Sequence, residues 1–295
     1  MSQLHFAILV FLAMLWGGSF LFMRIAAPVL GAVWLIEFRV LLAGLVLLPV
    51  IIYQKQFFEM LKRYRQLLIA GALNAALPFS LLAYAAIELS AGLTSILNAT
   101  VPIFSALFAY LVLKEKIGMG KVIGIVLGFF GVIVLMAWRQ QGELPPPSLI
   151  SIGAVLLAAI SYVLAANYTK QRLTDIQPLV YVTGSQLGAA LLLIPLLPFF
   201  IPEQEPNDQV IFSVIALAVL STSLAFAFYF HLIKQIGPTQ TLTVTYLIPV
   251  FAILWGNWFL DEQLTLTMLT GCSLIIFGTA LANGLGWQKL LGRAD

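Results

Sequence analysis

The residues best suited to bind a small polar molecule are hydroxyl and amide side chains within otherwise apolar segments. Thr94 and Asn98 are four residues apart, as are Thr241 and Thr245. Four-residue spacing puts both members of a pair on one helix face. Because polar groups are costly in hydrocarbon, these faces are expected to meet a cavity or a neighbouring helix. The two pairs therefore predict a polar binding surface.

A proline follows a polar residue by four positions at three places. The three pairs are Asn74 with Pro78, Asn98 with Pro102, and Thr245 with Pro249. Proline has no N–H, so the carbonyl of the polar residue loses its helical donor. We predict that the prolines are hinges and that the freed carbonyls accept hydrogen bonds from a substrate ammonium or amide. The alternative is that the prolines only kink the helices, while nearby hydroxyl groups satisfy the carbonyls.

Two aromatic residues add to this binding surface. Trp16 and Tyr162 are 146 residues apart, each near the middle of an apolar segment, and are predicted to form opposite walls of a cavity. Gly17 and Gly18 leave room for a flat group or, alternatively, allow tight helix packing. The complete set of candidate substrate-binding residues is Trp16, Ser19, Asn74, Thr94, Asn98, Tyr162, Ser221, Thr241, Thr245 and Tyr246.

The deepest charged residues are Glu37 and Arg39, near one end of the second apolar segment. Residues two apart point in roughly opposite directions on a helix, so Arg24 is the better partner for Glu37. We predict a structural ion pair between Arg24 and Glu37. The alternatives are an outer gate, a proton site, or an Arg39 that binds a substrate carboxylate.

The residue inventory argues against catalysis. A serine hydrolase needs a His within hydrogen-bonding distance of its Ser, but His5 and His231 are the only histidines and both lie far from the midplane serines. A metal centre needs clustered His, Cys or carboxylate ligands, and Cys272 is the only cysteine. The sequence predicts neither an enzyme nor a bound metal or cofactor.

The elements that position these residues are predicted to be membrane-spanning helices. The chain has 295 residues, of which 61% are hydrophobic and only 9% are charged, and its mean hydropathy is +1.03. Soluble domains carry roughly 25% charged residues. A helix needs around 20 apolar residues to cross a bilayer. Ten such stretches occur, near residues 6–26, 33–53, 66–87, 92–113, 120–138, 150–169, 178–200, 210–232, 239–260 and 266–286. The predicted fold class is an all-α integral membrane protein with ten transmembrane helices.

The placement of charge predicts the orientation in the membrane. With a cytoplasmic N-terminus, twelve of the fifteen Lys and Arg residues fall in cytoplasmic connections or the tail, as the positive-inside rule requires. Both termini are therefore predicted to be cytoplasmic, in a plasma membrane (the bacterial inner membrane). The net charge of +3 is then a consequence of topology, and no nucleic-acid partner is expected. Glu115 and Glu262 end the fourth and ninth segments on opposite sides, and we expect each to accept N–H groups at the start of the next helix.

The two halves of the chain repeat each other. An offset of 147 pairs identical residues: Pro102 with Pro249, Glu115 with Glu262, Gly124 with Gly271, and Gly131 with Gly278. Further upstream an offset of 146 continues the match and pairs Pro49 with Pro195. Each half, 1–143 and 144–295, holds five helices, and an odd number inverts the second copy around a central cavity. Helices one, three, four, six, eight and nine carry most polar residues and are predicted to line that cavity, with helices two, five, seven and ten peripheral. Gly120, Gly124 and Gly128 are predicted to serve helix packing or dimerisation.

Several motifs resemble the drug/metabolite transporter superfamily, EamA type. They are Trp16-Gly17-Gly18-Ser19-Phe20, Phe38-Arg39, Val101-Pro102-Ile103-Phe104 and Ile248-Pro249-Val250-Phe251. The resemblance implies two five-helix copies, cytoplasmic ends, a central cavity and export of small metabolites. We therefore predict a secondary transporter that exports an amino acid or related compound by alternating access; a passive channel or facilitator for small polar solutes is the alternative. Expected partners are the substrate and the lipid bilayer, with protons as a further candidate, and monomer or homodimer is left open.

Overall fold

The computed structural model describes residues 2–116, 118–136 and 148–283, and these residues form helices and connections with no strand. Six helical segments are long and apolar enough to cross a membrane, and three shorter helices are also apolar. The long segments are Gln3–Tyr53, Tyr64–Glu88, Ala91–Leu111, Leu149–Arg172, Pro178–Phe199 and Asp208–Ile236; the shorter ones are Met119–Leu135, Val244–Leu260 and Leu266–Ala282. The protein is an all-helical membrane protein.

Each of the ten predicted apolar stretches falls on helical structure, although the fifth and tenth run past the described residues, as does the predicted boundary at 143/144. The α-helices are α1 (Gln3–Tyr53), α2 (Phe57–Lys62), α3 (Tyr64–Gly71), α4 (Leu77–Glu88), α5 (Ala91–Asn98), α6 (Val101–Leu111), α7 (Met119–Met136), α8 (Leu149–Arg172), α9 (Pro178–Leu193), α10 (Asp208–Ala218), α11 (Ala225–Ile236), α12 (Pro238–Thr241), α13 (Val244–Leu260) and α14 (Leu266–Ala282). A 3-10 turn, Ile194–Phe199, extends α9.

The 51 residues of α1 contain two of the predicted stretches, joined at Gly31. Gly31 has φ 69° and ψ 164°, a backbone conformation that a residue with a Cβ rarely adopts. The helix is therefore interrupted at Gly31, which separates a first arm of α1 (3–30) from a second arm (32–53). Arg39 on the second arm lies next to Met23 on the first, so the two arms pack against each other.

Two segments of π-helix interrupt the long helices. Ala72–Ala76 lies between α3 and α4, and Val219–Leu224 lies between α10 and α11. Their first residues are 147 positions apart, which is the offset of the sequence repeat. No sequence pattern predicted either segment. Such bulges are frequently found at functional sites.

Glycines bring α7 and α14 into backbone contact. A Cβ on Gly124 would lie 2.5 Å from the carbonyl oxygen of Gly278, and a Cβ on Gly131 would lie 3.1 Å from that of Gly271. Gly128 leaves no room for a side chain beside Ile103. Gly124 and Gly128 therefore serve packing within the chain, as expected for small residues in membrane helices.

The two ends of the bundle differ in charge. The basic end is formed by the connections after Tyr53, Leu111 and Arg172, where Arg63 and Asp175 make the one ion pair seen among the described residues. The acidic end is formed by the connections after Glu88 and Leu260 and by the start of α8, where Ser151 donates a hydrogen bond to Glu88.

Candidate functional site

Arg39 lies inside the bundle, at 4% exposure, among residues from three other segments. Its Nε donates a hydrogen bond of 3.1 Å to Thr222 Oγ1 in the second π-helix. Its Cζ lies 3.8 Å from the ring centroid of Phe79 on α4, a cation–π contact. Its Nη1 lies 3.9 Å from the sulfur of Met23, on the first arm of α1. The prediction that helix two is peripheral is wrong at this position, because a residue of its arm reaches the interior.

The predicted ion pair between Arg24 and Glu37 is not formed. Arg24 instead donates from Nη1 to the carbonyl oxygens of Ala86, at 2.9 Å, and Ile87 near the end of α4. A helix C-terminus carries unpaired carbonyls and partial negative charge, which attract a guanidinium. Glu37 is 3% exposed, and its Oε2 has no hydrogen-bond partner in the described structure.

Most of the predicted binding hydroxyls donate hydrogen bonds to their own helix. Thr94 donates to Ser90 O, Thr241 to Gly237 O, Thr245 to Leu242 O, and Ser19 to Trp16 O, at distances of 2.6–2.9 Å. Their oxygen lone pairs remain available to accept a hydrogen bond. Asn98 differs, because its buried Oδ1 has no partner among the described residues.

The three predicted hinges have different surroundings. Pro102 is the second residue of α6 and follows a break at Ala99 and Thr100. Pro249 instead lies inside the continuous helix α13, and the break in that segment is at Leu242 and Thr243. The two prolines are equivalent in sequence but not in local structure.

A π-helix changes the hydrogen-bond register at Pro78. In the first π-helix, Leu77 N–H bonds Ala72 O, so the missing N–H of Pro78 falls opposite Leu73 O. Ser161 of α8 donates to that carbonyl at 2.7 Å. This is the alternative in which a neighbouring hydroxyl satisfies the carbonyl. On the other side of the bundle, Ser221 donates to Leu15 O at 2.8 Å.

The predicted aromatic residues lie in two separate groups. The Trp16 ring packs against Phe226 and Tyr229 of α11, with centroids 6.2 and 5.3 Å away. The Tyr162 ring packs edge-on against Phe79, at 6.4 Å, next to the Arg39 contact. Tyr246 is elsewhere, where its hydroxyl accepts a hydrogen bond of 2.8 Å from Asn283.

Two cavities open at the basic end. One of about 370 Å³ lies between α6, α7, α8 and α14, and its lining includes Pro102, Glu115 and Lys170. Another of about 230 Å³ lies between the end of α1, the start of α9 and α11. Of the predicted site residues, only Pro102 lines either of these two cavities.

Glu262 and Glu115, which are related by the repeat, have different surroundings. At the acidic end, Glu262 accepts hydrogen bonds from the N–H groups of Ala91 at 2.9 Å and Gly92 at 3.4 Å, which begin α5. Glu262 was predicted to bond the start of the next helix along the chain. It bonds the start of the fourth segment instead. At the basic end, Glu115 is exposed and lines the larger cavity.

Sequence reasoning identified Arg39 and Ser221, the neighbour of Thr222, but it missed Thr222, Phe79 and Met23 as partners of Arg39. No sequence signal gives the rotation of an apolar helix well enough to find them. Within residues 2–116, 118–136 and 148–283 no three His, Cys, Asp or Glu side chains are grouped closely enough to hold a metal ion.

Comparison with known proteins places this arrangement in a family. A model described as the EamA-like transporter family matches residues 5–137 and again 149–284. A solved structure titled "Crystal structure of protein" covers 98% of this chain and 99% of its own, with a TM-score of 0.67 and 18% identity, which is a likeness of fold.

Relatives of similar length carry transporter names. The Bacillus subtilis protein named "Uncharacterized transporter YoaV" is 24% identical over 92% of this chain and 93% of its own length. A second from the same organism, "Uncharacterized transporter YvbV", is 28% identical over 94% and 90%. These relatives are named as transporters and not as enzymes. The chain belongs to the EamA-like transporter family of the drug/metabolite transporter superfamily.

Proposed function

We propose that this protein is a secondary transporter that exports a small metabolite, an amino acid or related compound, across the plasma membrane by alternating access. Its ten helices would form two inverted five-helix repeats. The observation that carries the proposal is the difference between Glu262, bonded to the start of α5, and Glu115, exposed beside a cavity.

Support for an inverted repeat comes from contacts that exchange under the sequence offset. Gly124 touches Gly278 and Gly131 touches Gly271, and adding 147 to Gly124 and Gly131 gives the two partners in reverse order. A two-fold relation between halves produces such exchanged pairs. The positions joined by the bond from Ser161 to Leu73 O and by the bond from Ser221 to Leu15 O also exchange under the offset to within one residue, with the serine of the second half as the donor in both.

Alternating access requires the two inverted halves to adopt different conformations, and the different surroundings of Glu262 and Glu115 agree with this requirement. Two symmetric halves that adopt the same conformation would give Glu115 and Glu262 the same surroundings. In this proposal the contact of Glu262 with the start of α5 holds the acidic end closed, while cavities open at the basic end. By the positive-inside rule we assign the basic end to the cytoplasm, and in this proposal the state seen here admits a substrate from that side.

The proposed binding surface combines unpaired polar atoms with aromatic rings. The amide oxygen of Asn98 is buried without a partner and can accept a hydrogen bond from a substrate ammonium. Thr94 and Thr245 keep acceptor lone pairs. Two separate aromatic groups, one around Trp16 and one formed by Tyr162 and Phe79, offer apolar faces. An ammonium and an apolar side chain are both present in amino acids.

Transport by purified protein in liposomes tests the proposal. Vesicles are loaded with a mixture of L-amino acids, and each amino acid is added outside in labelled form. A carrier will accumulate one or a few of them by exchange, with a rate that saturates. Flux that rises without saturation indicates a channel, and no exchange of any amino acid contradicts the proposed substrate.

Two substitutions assign the site within the same assay. Asn98→Ala and Thr245→Ala should each weaken transport by about ten-fold, because each removes a polar group from the proposed surface, at roughly 1.5 kcal/mol per hydrogen bond. Gly153→Ala is a matched control, since a Cβ there meets nothing within 4 Å. Unchanged transport in both variants would remove these residues from the site.

A further inference from the structure

Arg39 is a buried cation that has no anionic partner among the described residues. Arg63 and Asp175 form the one ion pair found there. The nearest groups to the Arg39 guanidinium are a hydroxyl, a thioether and an aromatic ring. A buried charge is strongly disfavoured unless it is paired, so this cation lacks the partner that its location demands.

Glu37 does not supply that partner. It lies two residues before Arg39 on the same helical arm, where side chains point in roughly opposite directions. No hydrogen bond joins the two residues, and Oε2 of Glu37 is itself buried without a partner. Two buried charges on one arm therefore face different surroundings.

The repeat does not explain Arg39 either. The offsets of 146 and 147 place it opposite Ser185 and Gln186, neither of which is charged. Residues that only build the two-fold frame recur in both halves, as Gly124 and Gly271 do. A charged residue that occurs in only one half therefore indicates a function other than maintaining the two-fold architecture.

One edge of the guanidinium has no strong hydrogen-bond acceptor among the described residues. Thr222 takes the Nε hydrogen, and Phe79 covers one face of the plane. Nη1 has only the sulfur of Met23, a weak acceptor at 3.9 Å, and Nη2 has no hydrogen bond within the described chain. The Nη1–Nη2 edge presents two parallel N–H donors, which is the geometry that binds a carboxylate through both oxygens.

We propose that Arg39 recognises a carboxylate group on the transported molecule. The inference rests on the proposed function, which makes the molecule a transported metabolite. A single guanidinium balances the one negative charge of a carboxylate, whereas a phosphate with two charges would remain partly unpaired. Phe79 and Thr222 hold the guanidinium plane in place, and the carboxylate displaces only the weak contact with Met23.

Thermal unfolding of the detergent-solubilised full-length protein tests the proposal with L-amino acids and their carboxamides as probes. A carboxamide keeps the side chain and ammonium but lacks the negative charge. We expect at least one amino acid to raise the unfolding temperature while its carboxamide leaves the temperature unchanged. Equal stabilisation by both, or no stabilisation by any amino acid, overturns the proposal.

Variants at Arg39 locate the effect. Arg39→Gln should unfold near the wild-type temperature without ligand and lose the response to the amino acid. Arg39→Lys keeps the charge without the two-donor edge and should retain a weaker response, with at least a ten-fold higher half-maximal concentration. An Arg39→Gln protein that responds as the wild type does also overturns the proposal. If Arg39→Gln does not fold, the wild-type comparison and Arg39→Lys decide.

The two proposals fail separately. Saturable exchange in liposomes of a compound without a carboxylate, unaffected by Arg39→Lys, would leave the transporter standing and remove the role of Arg39. Stabilisation by an amino acid that is never exchanged would keep the carboxylate site and contradict transport of that compound.

Discussion

Glu262 and Glu115 are 147 residues apart in a repeated sequence, yet only Glu262 is bonded to the start of a helix. Glu115 is exposed at the other end of the bundle. The carboxylate of Glu262 satisfies two N–H groups that have no partner within α5 and meets the positive end of its dipole. In the proposed mechanism this contact is the lock that keeps the acidic end closed.

Removing the lock should open the acidic end. Hydrogen bonds to a charged group are worth about 1.5–3 kcal/mol each, so Glu262→Ala should shift the equilibrium by at least about ten-fold. Ser95, buried on α5, is replaced by Cys in a Cys272→Ala background. Labelling of this cysteine from the acidic side by a membrane-impermeant maleimide should increase with Glu262→Ala.

The matched control is Glu115→Ala, which removes an exposed carboxylate at the basic end. It should leave labelling of the cysteine at position 95 unchanged or lower it. Labelling that rises equally in both variants would mean that neither carboxylate acts as a lock on one end.

The same lock should respond to pH. Burial raises the pKa of the Glu262 carboxyl above its ordinary value of 4.5, and bonds from Ala91 and Gly92 and the charge of Arg24 only partly offset this. Opening returns the carboxyl to water, so the closed state binds a proton more tightly. Lowering the pH from about 7 towards 4.5 should therefore reduce labelling at position 95.

Thiol reactivity also depends on pH, so each measurement is normalised to a protein with Glu262→Gln, which has the same cysteine but cannot titrate at position 262. The normalised labelling should fall as the pH falls. A ratio that stays constant between about pH 7 and 5 would show that Glu262 does not govern the pH response.

Thr222 should act on transport through Arg39. Thr222→Val keeps the side-chain shape but removes the acceptor for Arg39 Nε, so the guanidinium is held less firmly. Loss of one hydrogen bond to a charged group should raise the half-saturating substrate concentration about ten-fold. Thr222→Ser keeps the hydroxyl and should transport like the wild type. Equal loss in both variants would indicate a packing role.

Much of the fold could be predicted because the membrane leaves few alternatives. A segment of about 20 apolar residues without water must be helical, and the predicted stretches fall on helices for that reason. The closeness of Gly124 and Gly278 follows from the rule that small residues mark backbone contacts. What composition does not give is the direction in which each helix faces.

The errors at the site have this origin. Arg24 was expected to meet Glu37, but the end of α4 offers it two carbonyl groups instead. Arg39 lies on an arm with few polar residues, so its approach to Thr222 and Phe79 depends on a rotation that hydropathy does not record. The π-helical register places the missing N–H of Pro78 opposite Leu73 O, whereas a regular α-helix would place it opposite Asn74 O.

Ser161 and Pro78 should show a coupling that depends on this register. Ser161→Ala leaves Leu73 O without a donor in the interior, which should cost about 1–3 kcal/mol of unfolding free energy. Pro78→Ala supplies a new N–H, so Ser161→Ala should cost less in that background. Unfolding of the wild type, the two single variants and the double variant in mixed micelles measures the difference.

The control is Ser273→Ala, which removes a hydroxyl bonded to its own helix and should change the unfolding free energy by less than about 0.5 kcal/mol. If Ser161→Ala costs the same with Pro78 as with Ala at position 78, the hydroxyl does not substitute for the missing N–H.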